Sequence, residues 1–368
     1  MASGDEGAAF YSLDLARLPD ELYRPKVPAE EWLRRAKRSG AEGFPAGSLG
    51  DVAPIPARAL LERLVVFPIY MLLNAAPFAL PPALYATAGL RGVGLFGVLL
   101  VALHGLCALT NPMGSVRTGQ YLFTERNIQK YCSMKWVWPR ALQPPRLPGP
   151  KIFCAIPHGL APMGVTCYPV WSRLLGDVLC RWTCAPVVLR LPLISYFLRM
   201  VGYVPASSGR IKDVLAKRGE SVGVVLDGIA GMFQLGKGVE RGFVRSRKGI
   251  VKIALTTGVP LVPVYCFGTT SLWRVVVDPF GLLERLSVAL GVSVTPFCGR
   301  PFGLLPFGPP FRQPILVALG EPIVVPRVDE PSQQQIDEYH GQLLEGFARV
   351  FEQHKAAYGW PQRRLELV

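Results

Sequence analysis

The chain has 368 residues, half of them apolar, with 40 Lys and Arg against 26 Asp and Glu and a formal net charge of +14. That length holds one or two domains, and the cationic excess suits anionic headgroups or phosphates. The basic residues form no tracts and no zinc-finger or RNP-type pattern occurs, which argues against nucleic acid as a partner. Eight cysteines without a C-x-x-C pair argue against a disulfide scaffold and for a reduced, cytosol-facing catalytic region.

Residues 1–60 are polar and punctuated by Pro and Gly, and "EEWLRRAKRSG" (Glu30–Gly40) predicts a short basic helix. The first long apolar segment starts too late for a cleavable signal peptide. No charge occurs from Leu64 to Leu90, Arg91 interrupts, and Gly92 to Val116 is uncharged again. Each stretch exceeds the roughly 20 residues a spanning helix needs. The prediction is a membrane hairpin over residues 61–116 that turns near Gly89–Gly92, its first leg broken by Pro68, Pro77, Pro81 and Pro82. Arg34, Arg35, Lys37, Arg38, Arg58 and Arg63 precede its uncharged stretches, and Arg117, Arg126 and Lys130 follow them, which puts both ends on the cytosolic side.

After a proline-rich linker (Pro139–Pro150), the rest of residues 117–368 reads as one α/β domain. "KIFCAI" (151–156), "SVGVVL" (221–226), "LVPVYCF" (261–267) and "ILVAL" (315–319) are short apolar runs, predicted as buried strands. "RIKDVLAKRG" (210–219) and "RKGIVKIALTTG" (247–258) predict helices with glycine stops. Strands alternating with helices give a layered α/β architecture. The last helix opens with a Ser332/Gln335 capping box, repeats Ile336, Tyr339, Leu343, Phe347, Val350 and Phe351 at helical spacing, and ends at Gly359 and Pro361.

Of four histidines, His104 lies in the second apolar leg and His340 and His354 on the last helix. His158 alone sits where a strand ends in a turn, between Pro157 and Gly159. It is the candidate general base. Gly159 leaves room for a substrate or oxyanion to approach closely, and Pro157 stiffens the entry. Cys154 is a poor nucleophile for the same base, since side chains four apart on a strand need not meet. No G-x-S-x-G elbow, metal-ligand spacing or dinucleotide fingerprint occurs. The run 241–254 carries Arg241, Arg245, Arg247, Lys248 and Lys252, with Lys248 and Lys252 on one helix face. That face suits a phosphate-bearing ligand or membrane headgroups.

These blocks, in this order, resemble the type-2 diacylglycerol acyltransferase family, which includes monoacylglycerol and wax-alcohol acyltransferases within the wider glycerolipid acyltransferase fold. "IPHG" (156–159) is similar to the family's H-P-H-G block, whose second histidine is catalytic. "PLISYFLRMVGYVPAS" (192–207), "VVLDGIAGMF" (224–233), "RSRKGIVKIALTTGVPLVPVYCFG" (245–268) and "ALGEPIVVP" (318–326) are similar to the family's later blocks. Four positions depart from it. Ile156 replaces the first histidine, Asp227 and Gly231 stand where G-G-x-x-E has glycine and glutamate, and Met163 replaces the wider family's aspartate.

The resemblance implies an acyl-CoA:diacylglycerol O-acyltransferase making triacylglycerol. Its alternatives are wax-alcohol or monoacylglycerol transfer, or a catalytically impaired lipid- or acyl-CoA-binding relative. It casts His158 as the base, with Asp227 as the replacement for the orienting carboxylate. Backbone near Gly159 or Gly228 would stabilise the oxyanion, and Arg245, Arg247, Lys248 and Lys252, with Arg210 and Lys212, would hold the CoA phosphates. The implied partners are acyl-CoA, a lipid alcohol, the membrane and, as an option, a second copy of the chain. No cofactor beyond the acyl-CoA co-substrate and no metal is implied. The implied location is the endoplasmic reticulum membrane with the catalytic domain cytosolic, extending to lipid droplets.

Overall fold

The computed structural model describes residues 9–17, 37–40, 43–52, 80–102, 105, 126–142, 146–165, 178–190, 195, 198–199, 201–233, 238–275, 278, 280–291, 293–300, 305–306 and 308–368. In chain order its strands are β1 (Phe10–Asp14), β2 (Lys37–Gly40), β3 (Lys135–Pro139), β4 (Ile152–Ile156), β5 (Cys180–Cys184), β6 (Val204–Pro205), β7 (Ser221–Val225), β8 (Val239–Gly242), β9 (Leu261–Phe267), β10 (Arg274–Val275), β11 (Phe297–Gly299), β12 (Leu305–Pro306), β13 (Leu316–Leu319) and β14 (Arg364–Leu367). The helices are α1 (Leu80–Ala102), α2 (Arg126–Tyr131), α3 (Ser208–Lys212), α4 (Ala230–Phe233), α5 (Gly249–Thr257), α6 (Leu282–Leu290) and α7 (Gln333–Tyr358).

Among the described residues, nine strands form one sheet in the order β2-β1-β3-β13-β9-β4-β7-β5-β6. From β9 to β6 neighbouring strands run parallel. All five residues of β4 and all seven of β9 are buried, as expected of parallel strands covered on both faces. The four apolar runs therefore become β4, β7, β9 and β13. Alternation along β4 splits its side chains between two cores. Ile152, Cys154 and Ile156 pack with α5 and α7 residues such as Val251, Leu255, Phe347 and Phe351. Phe153 and Ala155 face Trp136, Trp138 and Trp182 on the other side.

The predicted helices appear as α3, α5 and α7. α3 continues into a π-helical stretch at Asp213–Lys217, and α5 stops at Gly258 in the left-handed region, φ 67°. The Ser332/Gln335 capping box is formed, and α7 ends at left-handed Gly359. One prediction fails locally. Lys37–Gly40, expected as the end of a helix, is strand β2, because it pairs antiparallel with β1; the rest of that segment lies outside the described residues.

α1 is the one described helix long and apolar enough to enter a bilayer, and none of its apolar window is buried. Gly89 within it has φ 58°. A β-carbon on Gly92 would sit 3.0 Å from the carbonyl oxygen of Leu84, whereas residues eight apart in an unbroken helix are separated by about 12 Å of rise. The chain therefore bends sharply at Gly89. The remainder of the expected hairpin, including its first leg to residue 79 and His104, lies outside the described residues.

Candidate active site

The site forms at the carboxyl ends of three adjacent parallel strands, where α/β sheets commonly bind ligands. Pro157–Gly159 follow β4, Asp227 and Gly228 follow β7, and Thr269 and Thr270 follow β9. The Ile156–Pro157 peptide is cis, and Gly159 turns at φ 59°. Gly159 is needed for space as well as conformation: a β-carbon there would lie 2.8 Å from the Thr269 carbonyl oxygen.

His158 is partly exposed. Its Nδ1 lies 2.9 Å from the carbonyl oxygen of Gly159. A carbonyl only accepts, so Nδ1 carries the proton and Nε2 keeps a free lone pair. Burial pushes the imidazole pKa below its ordinary value, opposed by that hydrogen bond. The ring is thus neutral near neutral pH, with its lone pair at Nε2.

Asp227 is fully buried. Its Oδ2 accepts the backbone N–H of His158 at 2.9 Å, so the carboxyl clamps the turn through its backbone rather than through the ring. Its Oδ1 has no hydrogen-bond partner among the described residues. Burial raises its pKa to about 7, against the lowering effect of N–H donors at His158, Asp227 itself and Gly228 and of the Arg247 charge. Gly231 is where the related block has glutamate, and a β-carbon there would fall 2.2 Å from Asp227 Oδ2. Ile156 is fully buried, its Cδ1 2.9 Å from the β-carbon position of Gly242. Cys154 is buried and its thiol pKa is pushed far up, which fits the sequence argument against it as a nucleophile.

The basic candidates are spread over one surface. Arg245 Nε donates to the Leu367 carbonyl at 2.7 Å, and Lys248 pairs with Asp337 at 2.7 Å. Arg247 and Lys252 are exposed, and the Arg247 charge reaches Asp227. α3, with partly buried Arg210 and Lys212, packs against α5. His340 Nε2 meets the Val244 carbonyl at 3.0 Å, and His354 is buried with its pKa lowered to about 4, both away from the turn's chemistry.

Sequence reasoning missed Thr269 and Glu240. Thr269 is buried against Gly159, and its hydroxyl has no partner among the described residues. Glu240 is 4% exposed in β8 and accepts from Thr270 at 3.2 Å, from Tyr265 at 3.4 Å and from Arg363. Burial raises its pKa against the pull of Arg363. The Thr-Thr pair directly after the strand-ending Gly268 was the available signal for Thr269. Among the described residues no cluster of three His, Cys, Asp or Glu side chains is placed to hold a metal.

The sequence profile of the family described as Diacylglycerol acyltransferase matches residues 126–368. The chain belongs to that family. It is 33% identical over 184 residues to Diacylglycerol O-acyltransferase 2-like protein 6 from Homo sapiens, covering 47% of this chain and 55% of that one. It is 34% identical over 229 residues to 2-acylglycerol O-acyltransferase 1 from Bos taurus, covering 57% and 67%. With Diacylglycerol O-acyltransferase 2 from Homo sapiens it shares 31% over 243 residues, covering 58% and 59%. The chain thus spans little more than half the length of the two human relatives.

Proposed function

We propose that the protein is an acyl-CoA-dependent O-acyltransferase that esterifies a lipid alcohol, with diacylglycerol as the first-choice acceptor. The observation that carries this is the His158 tautomer, with Nδ1 tied to the Gly159 carbonyl and Nε2 free at the open end of β4. In the proposed reaction, Nε2 takes the hydroxyl proton as the alcohol oxygen attacks the thioester carbonyl. The tetrahedral oxyanion is met by the backbone N–H of Gly159. It collapses with cleavage of the carbon–sulfur bond, and the imidazolium returns the proton to the departing CoA thiolate. Asp227 acts as a positioning residue that fixes the turn. Arg247 and Lys252, beside Lys248, Arg245, Arg210 and Lys212, meet the CoA phosphates. A 2-acylglycerol acceptor is the second reading, favoured by the bovine relative's name and slightly higher identity.

We place the protein at the endoplasmic reticulum membrane, with residues 117–368 as the cytosolic catalytic domain behind a polar region 1–60 and a membrane segment 61–116. The family and the basic residues that bracket the apolar segment support this. The test incubates purified membranes with labelled acyl-CoA and a panel of mono- and diacylglycerols and fatty alcohols, wild type beside His158→Ala. The expected loss is about 10²–10⁴-fold. Equal transfer by both proteins sinks the base assignment, and transfer by neither leaves a lipid-binding relative.

A further inference from the structure

α6 is built inside out. At 100° per residue, Leu282, Leu286 and Leu290 line one stripe of the helix, to one side of Ser287, with Arg285 at the stripe's flank. Ser287 is fully buried, whereas Leu282, Leu286, Val288 and Leu290 are 61%, 46%, 63% and 52% exposed and the preceding Phe280 is 76% exposed. This face is held outward by design of its surroundings. The Asp278 carboxylate accepts the N–H groups of Leu282 at 3.0 Å and Glu284 at 2.9 Å, which pins the first turn. The Ser287 hydroxyl accepts the Val294 N–H at 2.8 Å, and left-handed Gly291 caps the end.

A contiguous exposed apolar face of this kind marks an interaction surface rather than scattered surface residues. We propose that α6 lies in the plane of a bilayer, with Phe280, Leu282, Leu286 and Leu290 among the acyl chains and Arg285 at the headgroups. Nine residues rise only about 14 Å, far short of the roughly 30 Å hydrocarbon core, so the helix lies on the membrane rather than across it. Three observations select a bilayer as the occupant. The same chain carries α1, apolar apart from Arg91 and unburied over its apolar window, which on this reading holds the rest of the chain near a membrane at high effective concentration. The exposed charge on α6 is a cation, Arg285, with Glu284 only partly exposed, and exposed Arg274 and Arg300 bracket the helix in sequence, complementary to anionic lipid. The chain as a whole carries +14. The inference rests on the reading that the protein works at a membrane, not on its chemistry. Its consequence is that the catalytic domain is fixed to the bilayer at two places, which sets how the acceptor reaches His158.

The experiment uses the full chain in vesicles of phosphatidylcholine and phosphatidylserine. Leu286→Cys and, separately, Leu282→Cys are labelled with an environment-sensitive dye, and Arg327→Cys, whose parent side chain is 74% exposed, serves as the aqueous reference. Unmodified protein labelled in parallel supplies the background of the native cysteines. The expected result is a blue-shifted emission at both leucine positions, quenched several-fold more than the reference by nitroxides on the lipid chains. Emission matching the reference would show the face in water, and a blue shift without lipid quenching would show a protein partner; either overturns the proposal. Because turnover is not read, an inactive protein gives the same answer.

Discussion

A single carboxyl occupies the space between residues 227 and 231. The family block places glycine at the first position and glutamate at the second, and this chain places Asp227 and Gly231 there. With a β-carbon on Gly231 only 2.2 Å from Asp227 Oδ2, both side chains cannot coexist. Gly231→Glu alone is expected to lower the melting temperature and remove activity, and Asp227→Gly with Gly231→Glu to recover much of both. Thermal unfolding and acyl transfer measured together check this; equal damage in the single and double variants would show the positions to be independent.

Asp227 also sets a pH dependence. Its folded pKa is raised from 3.8 to about 7, so over that range the folded chain holds a proton the unfolded chain has released. Stability from this group is greatest below pH 3.8, falls as pH rises, and levels above about 7. At about 1.4 kcal/mol per pKa unit the fall is on the order of a few kcal/mol. Asp227→Asn removes it. Denaturant midpoints at about pH 5 and about pH 7.5 should differ clearly in wild type and converge in the variant. Unchanged divergence would assign the slope to other groups.

At the scale of elements, β8 and β14 form a parallel pair beside the main sheet. Glu240 in β8 is 4% exposed, and Arg363, just before β14, both pairs with it and stacks 3.8 Å over Trp360. Arg363→Ala leaves a buried carboxylate without its cation and is expected to cost about 3 kcal/mol. Arg241→Ala, whose pair with Glu366 is 41% and 50% exposed, should cost less than about 1 kcal/mol. Urea unfolding of the two variants compares them, and similar losses would contradict the burial argument. The same logic explains which strands were legible. β4, β7, β9 and β13 carry no charge and read as apolar runs. β3 and β5 carry buried Lys135 and Arg181, paired with the less buried Asp51 and Glu220, so a reading based on hydrophobic runs passes over them. β2 depends on pairing with β1, which local sequence cannot show.

Across the whole molecule, the layered α/β architecture followed from alternating apolar runs and glycine-stopped helices. His158 followed from its place between proline and glycine at a strand end. Asp227 was visible as the charge ending "SVGVVLDG", but its grip on the His158 backbone was not, because residues 69 positions apart meet only through the parallel β4–β7 register. Glu240 stayed hidden for the same reason. The turn that bears His158 grows from β4, which has three sheet neighbours on one side and five on the other. Fraying starts at margins, and this turn has none nearby. Warming should therefore leave the imidazole in place while the periphery loosens, then release it only when the sheet itself comes apart.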